Sequence, residues 1–402
     1  MKLLFISLFV PFDNIRHAGG QTLNYYVNKI LEEKDIETTL VGFCNDDDFQ
    51  HMDKAERGLD TYAISTKGGL KTNLIRVLFD GYGMILGKEK MGGSYYKYHQ
   101  LMKRLNQLKE SGYSPDVVVM EWTDIVLLVS KIQKLFPNAK YVASEHDVSF
   151  LGARRRYEIA QGQKRKKLQL KYELLKKQEL EALHCCNLVV PHNEKDKQLL
   201  LDHGIPSEKI FTLTAYYHSM CDISRREINN DILFWGAMYR EENYGAVLWF
   251  IEHVMPLLGD TDVRFVVAGN RPPEMLKKKA NDRIIITGFV EDVMPYFAHS
   301  LCFVAPLKLG AGIKVKILEA MSAGIPILTN DIGIEGVPAT HGVEYFHCTT
   351  PEDYANTIRA MLAQNPDVAK MEAAQRMLID KHFDLQASKN AYVNKLNSIM
   401  QK

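Results

Sequence analysis

The sequence reads APLKLGAGIKVKILEAMSAGIPILTNDIGIEGV over residues 305–337, and this stretch decides the fold class. Its apolar beginning predicts a strand that runs into a loop containing Gly310 and Gly312. A helix then begins near Lys316, and Gly324 ends it before the next apolar run. Strand, glycine loop, helix and strand in this order form the repeating unit of a parallel sheet covered by helices, so the stretch predicts an α/β protein.

The same alternation of short apolar runs and longer helical segments extends through the first half of the chain. We predict strands near Leu3–Val10, Thr38–Phe43, Asp116–Glu121, Lys140–Ser144, Leu188–Val190 and Ile210–Leu213. We predict helices over Thr22–Glu33, Asp124–Phe136, Arg154–His184 and Glu194–Asp202. The opening MKLLFISLFV also fits a short signal peptide, but no small-residue cleavage site follows it, so we favour a buried first strand.

The alternation starts again after a polar stretch at residues 216–230 that is typical of a linker. We predict strands near Ile232–Trp235, Arg264–Ala268, Ile284–Thr287, Leu301–Ala305 and Ile325–Thr329. The helices between them are predicted near Asn243–Leu257, Glu291–His299, Lys316–Ala323 and Pro351–Ala363. The prediction is two Rossmann-like doubly wound domains, residues 1–215 and 230–384, with a terminal helix over 385–402 that packs back on the first. Because parallel sheets bind ligands beyond the carboxyl ends of their strands, we expect the two sheets to face each other across a cleft.

Composition narrows the class of protein. The 402 residues include 50 basic and 49 acidic side chains, and the net charge of +1 gives no overall attraction for nucleic acid. The six cysteines have no paired spacing, which favours reduced thiols in a cytoplasmic protein over a zinc site or a disulfide framework. No apolar run approaches the roughly 18 residues that a membrane-spanning helix needs.

The glycine loop after Ala305 has the features of a phosphate site. Backbone N–H groups at a helix N-terminus, with the positive end of the helix dipole, suit a diphosphate, and Lys314 and Lys316 would add positive charge. Glu319 follows in the same helix, where a carboxylate can accept both hydroxyls of a ribose. The alternative is that Glu319 is a first-turn acid that only stabilises the helix dipole.

The block LGAGIKVKILEAMSAGIPILTNDIGIEGV resembles the donor-binding segment of the retaining glycosyltransferases of family four, which have the GT-B fold. The resemblance is strong over residues 231–362 and mostly architectural before them. It implies that Glu319 holds the nucleotide ribose. It also implies that the backbone at Gly310, Gly312 and Ile313, together with Lys314, contacts the diphosphate and the sugar. Ala311 stands where the family has a first glutamate, and this departure leaves the identity of the sugar open.

Three further segments carry the resemblance. In ILFWGAMYREENYGAVLWF, residues 232–250, Gly236 matches a glycine beside the donor phosphates and Arg240 is a candidate basic partner, although a solvated surface position explains Arg240 as well. Gly269 ends the strand of VVAGNRPPEML, and in RIIITGFVEDVMPYF the backbone of Phe289 and Val290 is expected to face the nucleobase. We also expect Asn243 to cap the helix that follows Arg240.

Two candidates lie in the first domain. Gly19 and Gly20 between the first strand and first helix would let a diphosphate approach the helix N-terminus, although a plain turn explains the pair too. The segment YVASEHDVSFLGARRR places His146 just beyond a strand, and the resemblance implies that His146 lies near the donor sugar and the acceptor. The alternative is a structural histidine that is satisfied by Asp147 or by the backbone.

The resemblance implies transfer of a sugar, with retention of configuration, from a nucleotide-sugar donor (UDP- or GDP-linked) to a glycan or lipid-linked acceptor in surface polysaccharide biosynthesis. His146 and Lys314 are the catalytic candidates. No cofactor and no metal are expected, because the leaving diphosphate can take the acceptor proton and no DxD triplet ends a predicted strand; the run Asp46–Asp48 is interpreted as solvated surface. A nucleotide-sugar epimerase and a non-catalytic binding subunit remain alternatives.

The segment Arg154–Lys177 contains ten basic and two acidic residues, so its net charge is ten minus two, or +8. A basic helix of this kind fits peripheral contact with the anionic inner face of a membrane. A solvated helix face explains the same charges without a partner.

Overall fold

The computed structural model describes residues 1–13, 15, 17–45, 58–66, 70–85, 91, 93–364 and 368–401. The chain divides into two compact units. The first contains Met1–Tyr216 with Gln386–Lys402, and the second contains Tyr217–Leu385. The acidic run Asp46–Asp48 lies outside the described residues.

The first unit has a parallel sheet with helices around it. Its strands are β1 (Lys2–Ser7), β2 (Glu37–Cys44), β3 (Asp60–Ser65), β4 (Val117–Glu121), β5 (Lys140–Glu145) and β6 (Leu188–Pro191). They are ordered β3-β2-β1-β4-β5-β6, and each neighbouring pair is parallel. The helices described here are α1 (Ala18–Leu31), α2 (Leu70–Ile85), α3 (Tyr95–Glu110), α4 (Thr123–Val126), α5 (Val129–Gln133), α6 (Ser149–Glu158), α7 (Gly162–His184) and α8 (Glu194–Asp202). The first strand pairs with both β2 and β4, which places the apolar opening of the sequence in the centre of the sheet.

Several predicted elements of the first unit differ from the structure. The long helix predicted over Arg154–His184 is two helices, because Gly162 adopts a left-handed φ of 57° where α7 begins. The helix predicted over Asp124–Phe136 is likewise the two short helices α4 and α5. The segment Ile210–Leu213 is not a regular strand, although it lies parallel beside β6. Ile210 forms an isolated bridge to Val189, and the N–H groups of Phe211 and Leu213 donate to the Val189 and Pro191 carbonyls, each at 2.9 Å. The edge strand β3 was not predicted, because its sequence DTYAIS lacks a continuous apolar run.

The second unit repeats the architecture. Its strands are β7 (Asn229–Trp235), β8 (Arg264–Ala268), β9 (Ile284–Gly288), β10 (Ser300–Ala305), β11 (Ile327–Thr329) and β12 (Phe346–His347), ordered β12-β11-β10-β7-β8-β9 and all parallel. Its helices are α9 (Glu241–His253), α10 (Glu274–Lys277), α11 (Met294–His299), α12 (Val315–Ala323), α13 (Pro351–Leu362) and α14 (Val368–His382). The predicted class of two doubly wound α/β sheets is confirmed, whereas β12, α10 and α14 were not predicted.

The terminal helix α15 (Leu385–Met400) contacts the first unit. The ring of Tyr392 packs edge-on against Tyr26 at 5.9 Å, and the Tyr26 hydroxyl lies 3.0 Å from Ser388 Oγ. The Lys389 ammonium also donates to the Glu33 carboxylate. Within the described chain, no helix is long and apolar enough to cross a bilayer.

Candidate functional site

The carboxyl ends of β7, β8 and β9 are packed backbone against backbone through glycines. The N–H of Gly236 donates to the Ala268 carbonyl at 3.1 Å, and the N–H of Gly269 donates to the Gly288 carbonyl at 2.9 Å. A Cβ atom on Gly269 would lie 1.7 Å from the Gly236 carbonyl oxygen, which no side chain can tolerate. Glycine at these positions therefore keeps the strand ends close together and leaves backbone rather than side chains at this edge of the sheet.

We call the strand ends at Gly236, Gly269 and Gly288 the glycine edge. The side chain of Lys316, in α12, extends to this edge. Its ammonium donates to Asn243 Oδ1 at 2.6 Å and lies 4.6 Å from the centre of the Phe234 ring. A Cβ atom on Gly236 would come within 2.6 Å of the same ammonium. Burial lowers the pKa of Lys316 to about 7, since the charged form is poorly solvated there. A bound anion would favour the charged form.

The N-terminus of α12 follows the predicted glycine loop. Gly310 and Gly312 have left-handed φ values of 106° and 67°, which a residue with a side chain adopts only with strain. Among the described residues, no side chain caps the N-terminus of α12, and the first turn of this helix contains no acidic residue. The Lys314 ammonium lies 3.2 Å from the buried carboxylate of Glu335, so part of its charge is offset within the protein. Ile313 packs against the core.

Glu319 lies in the second turn of α12 and is buried. The interpretation of Glu319 as a first-turn acid is therefore wrong. Its carboxylate accepts a hydrogen bond from Trp235 Nε1 at 3.2 Å and another from the backbone N–H of His218. Burial raises the pKa of Glu319 to about 7, because few groups replace the water that would solvate the carboxylate.

Among the other candidates of the second unit, Arg240 and Phe289 are exposed, Val290 is partly buried and Asn243 is buried. Arg240 is the residue that precedes α9, and its guanidinium pairs with the Glu242 carboxylate. Asn243 does not cap α9 as expected. It lies inside the first turn, and its amide nitrogen donates to the Ala237 carbonyl at 2.8 Å. The Phe289 side chain is 57% exposed, while Val290 is partly buried against the core.

In the first unit, His146 follows β5 and is held in a stack of rings. Its ring stacks on Trp122 at 4.2 Å and on His192 at 4.7 Å. Its Nε2 lies 2.8 Å from the Glu121 carboxylate, so the partner is Glu121 rather than Asp147. Trp122 has a φ of 69°, a sparsely populated conformation for a residue with a large side chain, and such strain is concentrated at functional sites.

Buried titratable groups surround the His146 stack. Burial lowers the pKa of His192 well below its usual value, and the neighbouring His146 adds to this effect, so His192 is neutral. Burial also raises the pKa of Glu145 to about 8, and its carboxyl accepts a 2.5 Å hydrogen bond from the Thr123 hydroxyl. The stack is thus a dry environment in which the Glu121–His146 contact is only weakly screened.

The predicted glycine pair lies in the first turn of α1. A Cβ atom on Gly19 would lie 3.0 Å from the Trp122 ring and 3.3 Å from His146 Nδ1, which places Gly19 beside the stack. The N–H of Gly20 donates to His17 Nδ1 at 3.0 Å, and a Cβ on Gly20 would clash with His17. The Gly20 N–H is therefore already paired with a side chain.

The basic segment Arg154–Lys177 lies on α6 and α7. These helices run antiparallel, because Glu179 near the end of α7 accepts from the N–H groups of Ser149 and Phe150 at the start of α6, each at 2.9 Å. The Tyr157 ring meets Tyr172 at 5.2 Å. Lys164, Arg165, Lys166 and Lys167 are exposed, so most of the charge of the segment faces solvent.

Sequence reasoning missed the partners of the candidate residues. In the second unit, Glu319 pairs with Trp235, Lys316 with Asn243 and Lys314 with Glu335. In the first unit, the partners of His146 are Glu121, Trp122 and His192. Glu335 stands within the quoted glycine-loop block, but nothing in its spacing indicates a pairing with Lys314. The described residues contain no group of three or more His, Cys, Asp or Glu side chains arranged to hold a metal ion.

The glycine edge lies within a stretch of the chain that is similar to a known protein family. Residues 229–364 match the family model described as Glycosyl transferases group 1. An uncharacterised 44.6 kDa protein in the cps region of Klebsiella pneumoniae is 27% identical over 125 residues, which are 28% of this chain and 32% of that protein. The match thus spans about a third of the length of this curated relative.

Solved structures share the whole fold. Sucrose-phosphate synthase of Thermosynechococcus elongatus has a TM-score of 0.73 at 11% identity, with all of both chains covered. HepE of Anabaena in complex with UDP has a TM-score of 0.68 at 12% identity, covering 99% of this chain and 100% of its own. A mutant of S. aureus TarM has a TM-score of 0.65 at 12% identity, with 100% of both chains covered. The chain thus has the GT-B fold, and its residues 229–364 match the glycosyl transferases group 1 model.

Proposed function

We propose that this protein transfers a sugar from a nucleotide-sugar donor to a glycan or lipid-linked acceptor. The observation that carries the proposal is the approach of the Lys316 ammonium to the glycine edge, within the region that matches the glycosyl transferases group 1 family. Exposed backbone at the strand ends, with one partly buried cation beside an uncapped helix N-terminus, suits the diphosphate of such a donor.

The donor would lie along the second unit. The N-terminus of α12 and the backbone at Gly236, Gly269, Gly310, Gly312 and Ile313 would hold the diphosphate. Lys316 and Lys314 would supply positive charge, and Arg240 is an additional candidate. Glu319 would accept the two ribose hydroxyls with the lone pairs that Trp235 and His218 leave. Phe289 and Val290 would border the nucleobase. HepE was solved with UDP, so a UDP-sugar is the first donor to test and a GDP-sugar the second.

The proposed reaction retains the configuration at the anomeric carbon. The bond between that carbon and the diphosphate oxygen breaks, a bond to the acceptor oxygen forms, and the acceptor proton passes to the leaving diphosphate. Lys314 and Lys316 would offset the negative charge that develops on the leaving group. His146 remains the candidate in the first unit for contact with the reacting groups, with Glu121 orienting its ring and Gly19 leaving room beside it.

The setting of the reaction is also proposed. The relative from a cps region of Klebsiella pneumoniae supports a role in surface polysaccharide biosynthesis. The exposed basic segment Arg154–Lys177 supports peripheral contact with anionic lipid on the cytoplasmic face of a membrane. A lipid-linked acceptor would be presented at such a surface.

A thermal-shift panel tests the donor site. The purified chain is heated with UDP, GDP, ADP and CMP and with their sugar conjugates, beside the Lys316→Met and Glu352→Gln variants. Glu352 is an exposed acid at the start of α13 and serves as the control. We expect one nucleotide to raise the melting temperature of the parent and the control but not of Lys316→Met. No shift with any ligand, or an equal shift in Lys316→Met, would contradict the donor site.

A further inference from the structure

Helix α2 of the first unit exposes a continuous apolar surface. Seven large apolar side chains on this helix are between 46% and 82% exposed. We name this surface the α2 apolar face, and it consists of Leu74, Ile75, Val77, Leu78, Tyr82, Met84 and Ile85. At about 100° per residue these positions cover roughly half of the helix circumference, from Met84 through Leu74 to Ile75.

Two charged side chains of α2, Arg76 and Asp80, point away from this face. Arg76 donates to the Thr66 carbonyl at 3.1 Å, and the Asp80 carboxylate accepts from Ser94 Oγ at 3.0 Å and from the Tyr96 N–H at 2.9 Å. The opposite side of α2 is therefore the side that packs on the protein, and Phe79 stacks there on Tyr95.

An exposed apolar surface of this size on a soluble protein normally marks an interaction site. The helix is 16 residues long, which corresponds to about 24 Å, and such a helix can lie in the plane of a membrane surface. The sequence on both sides of the helix is basic on balance, with Lys67 and Lys71 near its start and Lys88, Glu89 and Lys90 after its end. Apolar residues on one face with lysines at both ends are typical of interfacial helices on anionic lipid.

A second helix of the first unit, α7, also exposes both apolar and basic side chains. In α7 the exposed Leu170 and Leu174 stand among Lys166, Lys167 and Lys171. A protein partner would need acidic groups placed to match these lysines, whereas an anionic bilayer offers negative headgroups over its whole surface above an apolar interior. Charge complementarity therefore favours lipid over a second copy of this chain, because a second copy presents the same basic surface.

We propose that the α2 apolar face inserts into the headgroup and acyl boundary of an anionic bilayer and anchors the protein there. This inference extends the proposed membrane contact of Arg154–Lys177, because it assigns the apolar insertion into the membrane to a different helix, α2. The basic segment attracts the protein to the surface, and α2 holds it. The proposal does not depend on glycosyl transfer.

Vesicle flotation of the full chain tests the proposal. The vesicles contain phosphatidylcholine alone or an equal mixture of phosphatidylcholine and phosphatidylglycerol. The test variant is the double substitution Leu74→Glu and Leu78→Glu, and the matched control is Met377→Glu, which is 72% exposed on α14 of the second unit. We expect the parent and the control to bind the anionic vesicles, and the double variant to bind at least about tenfold more weakly.

Further measurements separate the outcomes. Substituting Lys164, Arg165, Lys166 and Lys167 by Gln should weaken binding only where phosphatidylglycerol is present. Melting temperatures and nucleotide shifts should be unchanged in every variant, so a failure of donor binding is distinguishable from a failure of this proposal. A parent that does not float, or a double variant that floats as the parent does, would overturn it. A parent that is dimeric without lipid and becomes monomeric in the double variant would also overturn it, by making the face a protein interface.

Discussion

Replacing Glu319 by Gln tests the ribose contact and the environment of the carboxylate together. The amide keeps the size of the side chain but removes the charge that would strengthen two hydrogen bonds to ribose hydroxyls. Loss of such charge-assisted bonds costs about 1.5–3 kcal/mol of binding free energy, which corresponds to a dissociation constant roughly 10- to 150-fold higher. The substitution also leaves the amide NH₂ close to the N–H groups of Trp235 and His218, so a moderate decrease in melting temperature is expected.

The effect on affinity should depend on pH. Because burial raises the pKa of Glu319 to about 7, the carboxylate predominates at pH 8 and the neutral acid predominates at pH 6. The parent should therefore lose most of its advantage over Glu319→Gln as the pH falls from 8 to 6. Titration of the nucleotide phosphates affects binding to both proteins equally, so it cancels in the difference between the parent and Glu319→Gln.

Isothermal titration of UDP and GDP into the parent, Glu319→Gln and Glu352→Gln at pH 6, 7 and 8 measures these differences. Glu352→Gln should match the parent at every pH. Equal affinities of the parent and Glu319→Gln at pH 8 would refute the ribose assignment. A difference of the same size at pH 6 and pH 8 would refute the raised pKa while leaving the ribose contact in place.

Three further outcomes are expected. Gly269→Ala should lower the melting temperature and abolish nucleotide shifts, because its Cβ would clash with the Gly236 carbonyl. The control Gly245→Ala, inside α9, should be neutral or stabilising, because a Cβ there meets nothing within 4 Å. Equal behaviour of the two variants would contradict the packing of the glycine edge. The pKa of Lys316 is about 7 when folded and about 10.4 when unfolded, so the unfolded chain binds more protons and the stability contributed by this residue rises with pH between 7 and 10. Lys316→Met should therefore show a flatter dependence of melting temperature on pH than the parent over this window, and parallel curves would count against the buried ammonium. His146→Asn should lower the rate of nucleoside diphosphate release by about 100-fold at saturating donor, while the exposed His184→Asn leaves the rate unchanged, and an unaffected rate in His146→Asn would reduce His146 to a structural role.

The sequence allowed prediction of the fold because parallel strands that are buried on both faces appear as short apolar runs. This holds for β1, β4 and β8, which lie inside their sheets. It fails at the edges, where β3 is half polar and β12 has only two residues. The break before Gly162 was missed because the basic residues on both sides are good helix formers and the glycine alone is a weak signal.

From the sequence, only those parts of the candidate site could be predicted that depend on the backbone conformation of single residues. Glycines at the ends of strands and in the loop before α12 can be recognised from their order along the chain, because each takes a conformation or a close approach that needs glycine. The hydrogen bond from Lys316 to Asn243 joins residues 73 positions apart, and the stack of His146 on Trp122 and His192 joins three strand ends. Such contacts depend on tertiary packing, for which sequence spacing gives no signal.

Transfer of a labelled sugar tests the central claim most directly. The full chain is incubated with the nucleotide-sugar that gives the largest thermal shift and with a panel of lipid-linked and free glycan acceptors, and the product and the released nucleoside diphosphate are quantified. We predict equal amounts of the two, the donor's anomeric configuration in the product, and loss of both in Lys316→Met but not in Glu352→Gln. Neither transfer nor release with any donor and acceptor, or release that is unchanged in Lys316→Met, would contradict the proposed glycosyl transfer at the glycine edge.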